Sequence, residues 1–150
     1  MPDLPRKKVG LISCSGEELP EGTVTRRAVR RVLEMLRPDD TVTLCLPLFL
    51  AGGEGERAFA RYYPTIAVDG CDKRCAALAT EKYSAKPAAS IVVTDVSKAS
   101  GCKAIGTARR LNAEGLRLAD EVAERIAAET DRLLKKKPKG GVRGVAGDER

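Results

Sequence analysis

Five cysteines and no histidine set the chemistry open to this chain of 150 residues. Cys14, Cys45, Cys71, Cys75 and Cys102 are its soft donors. Without imidazole there is no Ser-His-Asp triad, no Cys-His pair, no histidine base and no histidine metal ligand. A metal held here takes thiolates, carboxylates, backbone or water. Four thiolates suit tetrahedral Zn2+ or an iron–sulfur cluster. Three thiolates with an open fourth position would activate a thiol or a water.

Cys71-Asp72-Lys73-Arg74-Cys75 is a C-x3-C segment. Asp72 is the expected cap of a helix running to about Tyr83. Cys71 then precedes that helix and Cys75 sits in its first turn, where free amides and the positive dipole end favour thiolates. Lys73 and Arg74 add to that potential. This opens a second chemistry, thiol–disulfide redox. Cys71 or Cys75 would attack a disulfide, selenium or arsenic species, and Cys14 or Cys45 would resolve the intermediate.

The elements that must position these thiols alternate along the chain. Val9 to Ser13 reads as a strand, followed by a helix from Gly22 capped by Thr23 or Thr25, with Val24, Ala28, Val29, Val32 and Leu36 on its apolar face. Pro38 ends it. Thr41 to Leu46 reads as a second strand, stopped by Pro47, and a second helix spans about Glu56 to Tyr63. Thr65 to Val68 is a third strand. Ser90 to Val96 is a fourth, and residues 97–111, with Cys102, are irregular. Asn112 caps the longest helix, which runs to the basic turn Lys135 to Lys137. Four alternations predict right-handed crossovers and a three-layer α/β/α domain around a four-stranded parallel, Rossmann- or flavodoxin-like sheet. With strand order 2-1-3-4, Cys14, Cys45 and Cys71 all lie at the carboxyl edge, where open α/β sheets bind ligands. Asp69 and Asp95 end strands on the same edge, and could bind metal, take a proton or cap a loop.

Other patterns are excluded or weak. A phosphatase loop would be C-x5-R, but Pro20 stands six residues after Cys14 and no arginine precedes Arg26 in that loop. Gly52-Gly53-Glu54-Gly55 lacks the GKS or GKT of a Walker loop and reads as an ordinary loop or flexible lid beside Cys45. The formal net charge is +6, but Lys135 to Arg150 holds six basic residues against two acidic, so +4 of it falls there. Nucleic acid is therefore not the expected partner. The aromatic content of 3% also leaves few platforms for base stacking. A hydrophobic fraction of 43% fits one globular domain. We expect residues 8–137 to form it, with 1–7 an extension and 138–150 a flexible basic tail. No apolar run approaches the ~20 residues of a membrane span, and the expected location is cytoplasmic, where thiols stay reduced.

Cys14-Ser15-Gly16 after the first strand, Cys45-Leu46-Pro47 after the second, Asp69-Gly70-Cys71 after the third, and Cys75 together resemble the DGC-domain family of zinc-binding proteins. The tripeptide alone is common; its conjunction with the other cysteines in this order is specific. The resemblance covers about residues 8–134. It implies a small prokaryotic domain whose four cysteines, here Cys14, Cys45, Cys71 and Cys75, bind zinc. It carries no assigned reaction, and Cys102 stands outside the pattern. The expected partners are thus a metal ion and a small thiol, a metalloid substrate or a partner protein.

Overall fold

The computed structural model describes residues 7–135. All but the last residue of the expected extension (residues 1–7) and the whole expected basic tail (138–150) lie outside the described residues. A four-stranded parallel sheet has the order β2-β1-β3-β4, from β1 (Val9–Ser13), β2 (Thr41–Thr43), β3 (Thr65–Asp69) and β4 (Ala89–Val92). Of the Rossmann- and flavodoxin-like arrangements that the sequence allows, this is the flavodoxin-like one.

Alternation along the inner strands builds two cores, one on each face. Val9, Leu11, Ile66 and Val68 face one way. There they meet α1 (Pro20–Arg31), the π-helical turn Val32–Leu36 that continues it, α6 (Val93–Ser100) and α7 (Ala113–Leu133). Ile12 and Ala67 face the other way, onto Leu46 and Phe49 of α2 (Leu46–Ala51) and Ala76 and Ala77 of α5 (Cys75–Tyr83). Two short helices, α3 (Glu54–Arg57) and α4 (Phe59–Tyr62), complete the crossover from β2 to β3. The chain turns from β1 towards β2 on one side and from β3 towards β4 on the other. The switch point therefore lies between β1 and β3.

Several boundaries differ from the sequence reading. The first helix starts at Pro20, not Gly22, because proline at the first helical position has no amide to lose and a φ already set. Thr23 and Thr25 are therefore not caps. Thr23 Oγ1 donates to the Ala108 carbonyl at 2.5 Å, and Thr25 Oγ1 to the Glu21 carbonyl at 2.9 Å. β2 ends at Thr43, and Leu46 and Pro47 open α2 rather than closing a strand. β4 ends at Val92, and Val93 and Val96, one helical turn apart, point into the core from α6. A short β-branched run fits either period. Asp95 thus lies in the first turn of a helix, not at a strand end. Gly53 is the N-cap of α3, its amide held by Glu56 Oε1 at 2.8 Å. Asn112 caps α7 as expected, accepting from the Gly115 amide at 2.9 Å. That helix ends at Leu133, before the lysine run, and Lys135 takes a left-handed conformation at φ 59°.

Candidate metal centre

Three strand ends deliver the thiols. Cys14 follows β1 directly, Cys45 is the residue before α2, and Cys71 lies two past the end of β3. Cys75 is the first residue of α5. Cys14 and Cys71 are half-buried, Cys45 and Cys75 exposed, and all are free thiols.

Cys14 and the Asp69-Gly70-Cys71 tripeptide meet across the switch point. The Cys14 amide donates to the Val68 carbonyl at 3.0 Å, extending the β1–β3 ladder by one step. Its Sγ accepts from the Gly70 amide at 3.4 Å. Burial pushes the Cys14 thiol up, and the nearby Asp69 and Cys75 charges push the same way. The Gly70 amide and the Thr25 hydroxyl pull it down without overcoming burial.

Asp69 is fully buried at the end of β3 and acts as a remote cap for α5. Its carboxylate accepts from the Ala76 amide at 2.6 Å and the Ala77 amide at 3.1 Å. Burial raises its pKa, while those amides and the Arg74 charge oppose the shift. The expected cap, Asp72, is instead exposed within a turn closed by the Arg74 amide on the Cys71 carbonyl at 3.1 Å. Arg74 precedes the helix in a left-handed conformation, φ 53°. The consequence for the thiols is direct: two of the N-terminal amides of α5 that were expected to favour thiolates, those of Ala76 and Ala77, are already taken by a carboxylate. Sequence rules miss this cap because Asp69 stands seven residues before Ala76, beyond the reach of local capping patterns.

Gly70 has a packing reason. A Cβ there would stand 2.9 Å from the Glu21 carbonyl carbon and 2.9 Å from the Gly22 nitrogen. Both belong to backbone, which has no room to yield. Gly16, at φ +60°, and Gly22 face each other more closely still: a Cβ on either would stand 2.2–2.3 Å from the other's Cα. The three glycines let the loop after β1 and the start of α1 lie flat against the end of β3. Gly70→Ala is expected to destabilise by about 1–3 kcal/mol through this overpacking, read from the urea unfolding midpoint. A change within about 0.5 kcal/mol would mean that α1 shifts freely.

The fold thus brings Cys14, Cys45, Cys71 and Cys75 to one edge. It does not draw them into a finished cage: among the described residues, no group of three or more Cys, Asp or Glu side chains stands positioned to hold a metal ion. The donor chemistry still fits a soft metal, with four thiols and no hard ligand set competing. Cys102 lies elsewhere. It follows α6 and packs against the first of the two cores, and burial and the neighbouring Glu114 and Glu121 push its thiol up.

Comparison with known families decides the wider relationship. The DGC domain family matches residues 10–114. The chain belongs to the DGC-domain family. The match contains all five cysteines and all of the sheet but Val9, and stops at the start of α7. No curated protein and no solved structure matches the chain. Among the described residues, no helix of this DGC-domain protein is long and apolar enough to cross a membrane.

Proposed function

We propose that Cys14, Cys45, Cys71 and Cys75 hold a soft metal ion, zinc by the nature of the donor set, and that the protein handles metal rather than being built around it. The observation that carries this reading is the Gly70 amide donating to Cys14 Sγ across the switch point. Backbone N–H donors to sulfur orient and stabilise thiolates at metal centres. When bound, zinc would keep the four sulfurs as thiolates and serve as a Lewis acid if one of them gave way to a substrate. The chain's own residues set the frame. Asp69 fixes the start of α5 under Cys75, and Gly70 lets α1 close on the strand end beside Cys14.

Both cores close without the cysteine edge. Cys14 touches only the rim of one, and neither Cys45, Cys71 nor Cys75 belongs to either. The fold therefore stands without a metal, in contrast to domains whose folding free energy comes from zinc.

The redox alternative has less support. It needs a thiolate stabilised at the α5 N-terminus, and Asp69 occupies those amides.

Elemental analysis after anaerobic purification tests the reading. We expect about one equivalent of zinc per chain, removed by chelator with the helical circular dichroism retained. Serine at Cys14, Cys45, Cys71 or Cys75 should each lower zinc affinity, and Cys102→Ser should not. Less than about a tenth of an equivalent, with no uptake of added zinc, would overturn the reading. A brown protein with charge-transfer absorption would replace zinc by an iron–sulfur cluster.

A further inference from the structure

Away from the cysteine edge, six arginines line one open groove of about 680 Å3. Arg26, Arg27, Arg30 and Arg31 come from α1, and Arg109 and Arg110 from the loop before α7. Thr23 ties the two walls together through its bond to the Ala108 carbonyl. Only two carboxylates line the groove, Glu34 and Asp120. Arg30 pairs with Glu34, Arg31 Nε lies 3.5 Å from Asp120, and Arg26 is held by Glu17 at 2.8 Å. Among the described residues, Arg27, Arg109 and Arg110 are exposed and carry no ion pair. Arg31 Nε is buried without a hydrogen-bond partner. Segment by segment, the charge of the folded part looked small; the fold gathers it in one place.

The composition of the groove selects the kind of anion. It contains no lysine and no aromatic ring. Its apolar surface comes from Met35, Leu111 and Leu116, with Met35 67% and Leu116 38% exposed. Arginine and methionine without lysine is the composition of protein interfaces. A single-stranded nucleic acid would want rings to stack on, and a phosphate backbone gains little from a methionine and leucines. The chain's own C-terminal segment has the wrong sign, with Lys136, Lys137, Lys139, Arg143 and Arg150 against Asp148 and Glu149. A second copy using the same face would set arginines against arginines.

We propose that this groove docks an acidic amphipathic segment of a partner protein. Its carboxylates would sit on Arg27, Arg109 and Arg110, and its apolar side chains on Met35 and Leu116. This does not depend on metal at the cysteines, since no cysteine lines the groove.

Fluorescence anisotropy on the full chain tests it, with three probes: a labelled peptide of alternating glutamate and leucine blocks, polyglutamate, and duplex DNA. The glutamate–leucine peptide is expected to bind best. An R27E/R110E variant should bind it at least about tenfold more weakly, with circular dichroism unchanged. Arg125→Glu, in the separate hollow beside β4, should stay within about twofold. Met35→Ser should weaken the peptide but not polyglutamate. Duplex DNA binding more tightly than the peptide would overturn the proposal in favour of nucleic acid. Equal binding of polyglutamate, an unchanged R27E/R110E affinity, or no peptide binding would overturn it outright.

Discussion

Arg37→Ala is expected to lower the unfolding free energy by about 3–5 kcal/mol, a large part of the 5–15 kcal/mol typical of a domain. Arg37 leaves the π-helical turn and reaches α7. Its Nε and Nη2 grip the two oxygens of Asp131 at 2.8 and 2.7 Å, and its Nη1 donates to the Leu36 carbonyl at 2.7 Å. The side chains are only 14% and 7% exposed, so the pair is largely out of water. The Asp131 bonds and charge hold the guanidinium's pKa above its ordinary value against the opposing effect of burial. Removing the arginine leaves a carboxylate that solvent barely reaches. The loss measures that stranded charge rather than the worth of the pair. A double variant, Arg37→Met with Asp131→Leu, should accordingly recover most of the stability. Urea midpoints for the singles and the double close the cycle. A loss below about 1 kcal/mol for Arg37→Ala would show the pair behaving as an exposed bridge.

This ion pair joins positions 94 residues apart, and nothing in the local pattern announces it. What could be read in the sequence is what local periodicity and edge placement control. The alternation of apolar runs and helical spacing gave the four-stranded parallel sheet and the strand ends that carry Cys14, Cys45 and Cys71, while the order of the strands rests on crossovers that no local pattern records. The errors fall where one short apolar run satisfies two periods. Leu46 and Val93 to Val96 looked like strand and were helix starts, because a proline or a β-branched residue is tolerated in a first helical turn. Asp69 was recognised as a carboxylate at the edge but not as the cap of α5, since the turn at 71–74 carries the helix start back over the strand end. The sequence carries Arg26, Arg27, Arg30 and Arg31 between the apolar positions of the first helix. Their meeting with Arg109 and Arg110 depends on how the loop before α7 folds over α1.

Asp69→Ala is the second large effect we expect, at about 2–4 kcal/mol, because two buried amides lose their acceptor at once. Asp69→Asn keeps one oxygen for Ala76 or Ala77 and should cost less, about 1–2 kcal/mol. The two variants separate support from charge. Both loosen the start of α5, which carries Cys75, so both should weaken zinc uptake, the alanine more. Both also remove a negative charge beside Cys14. Burial is the main reason that thiol is raised, and the Asp69 charge adds to it. In Asp69→Asn the Cys14 thiol should therefore ionise at lower pH than in the wild type. Alkylation rates measured by peptide mapping, which resolves Cys14 from the exposed Cys45 and Cys75, give the profile directly. A Cys14 profile unmoved in Asp69→Asn would mean that the carboxylate acts on this edge only as a cap. A zinc affinity unchanged in Asp69→Ala, with the stability loss present, would detach the metal reading from the α5 start and from Cys75.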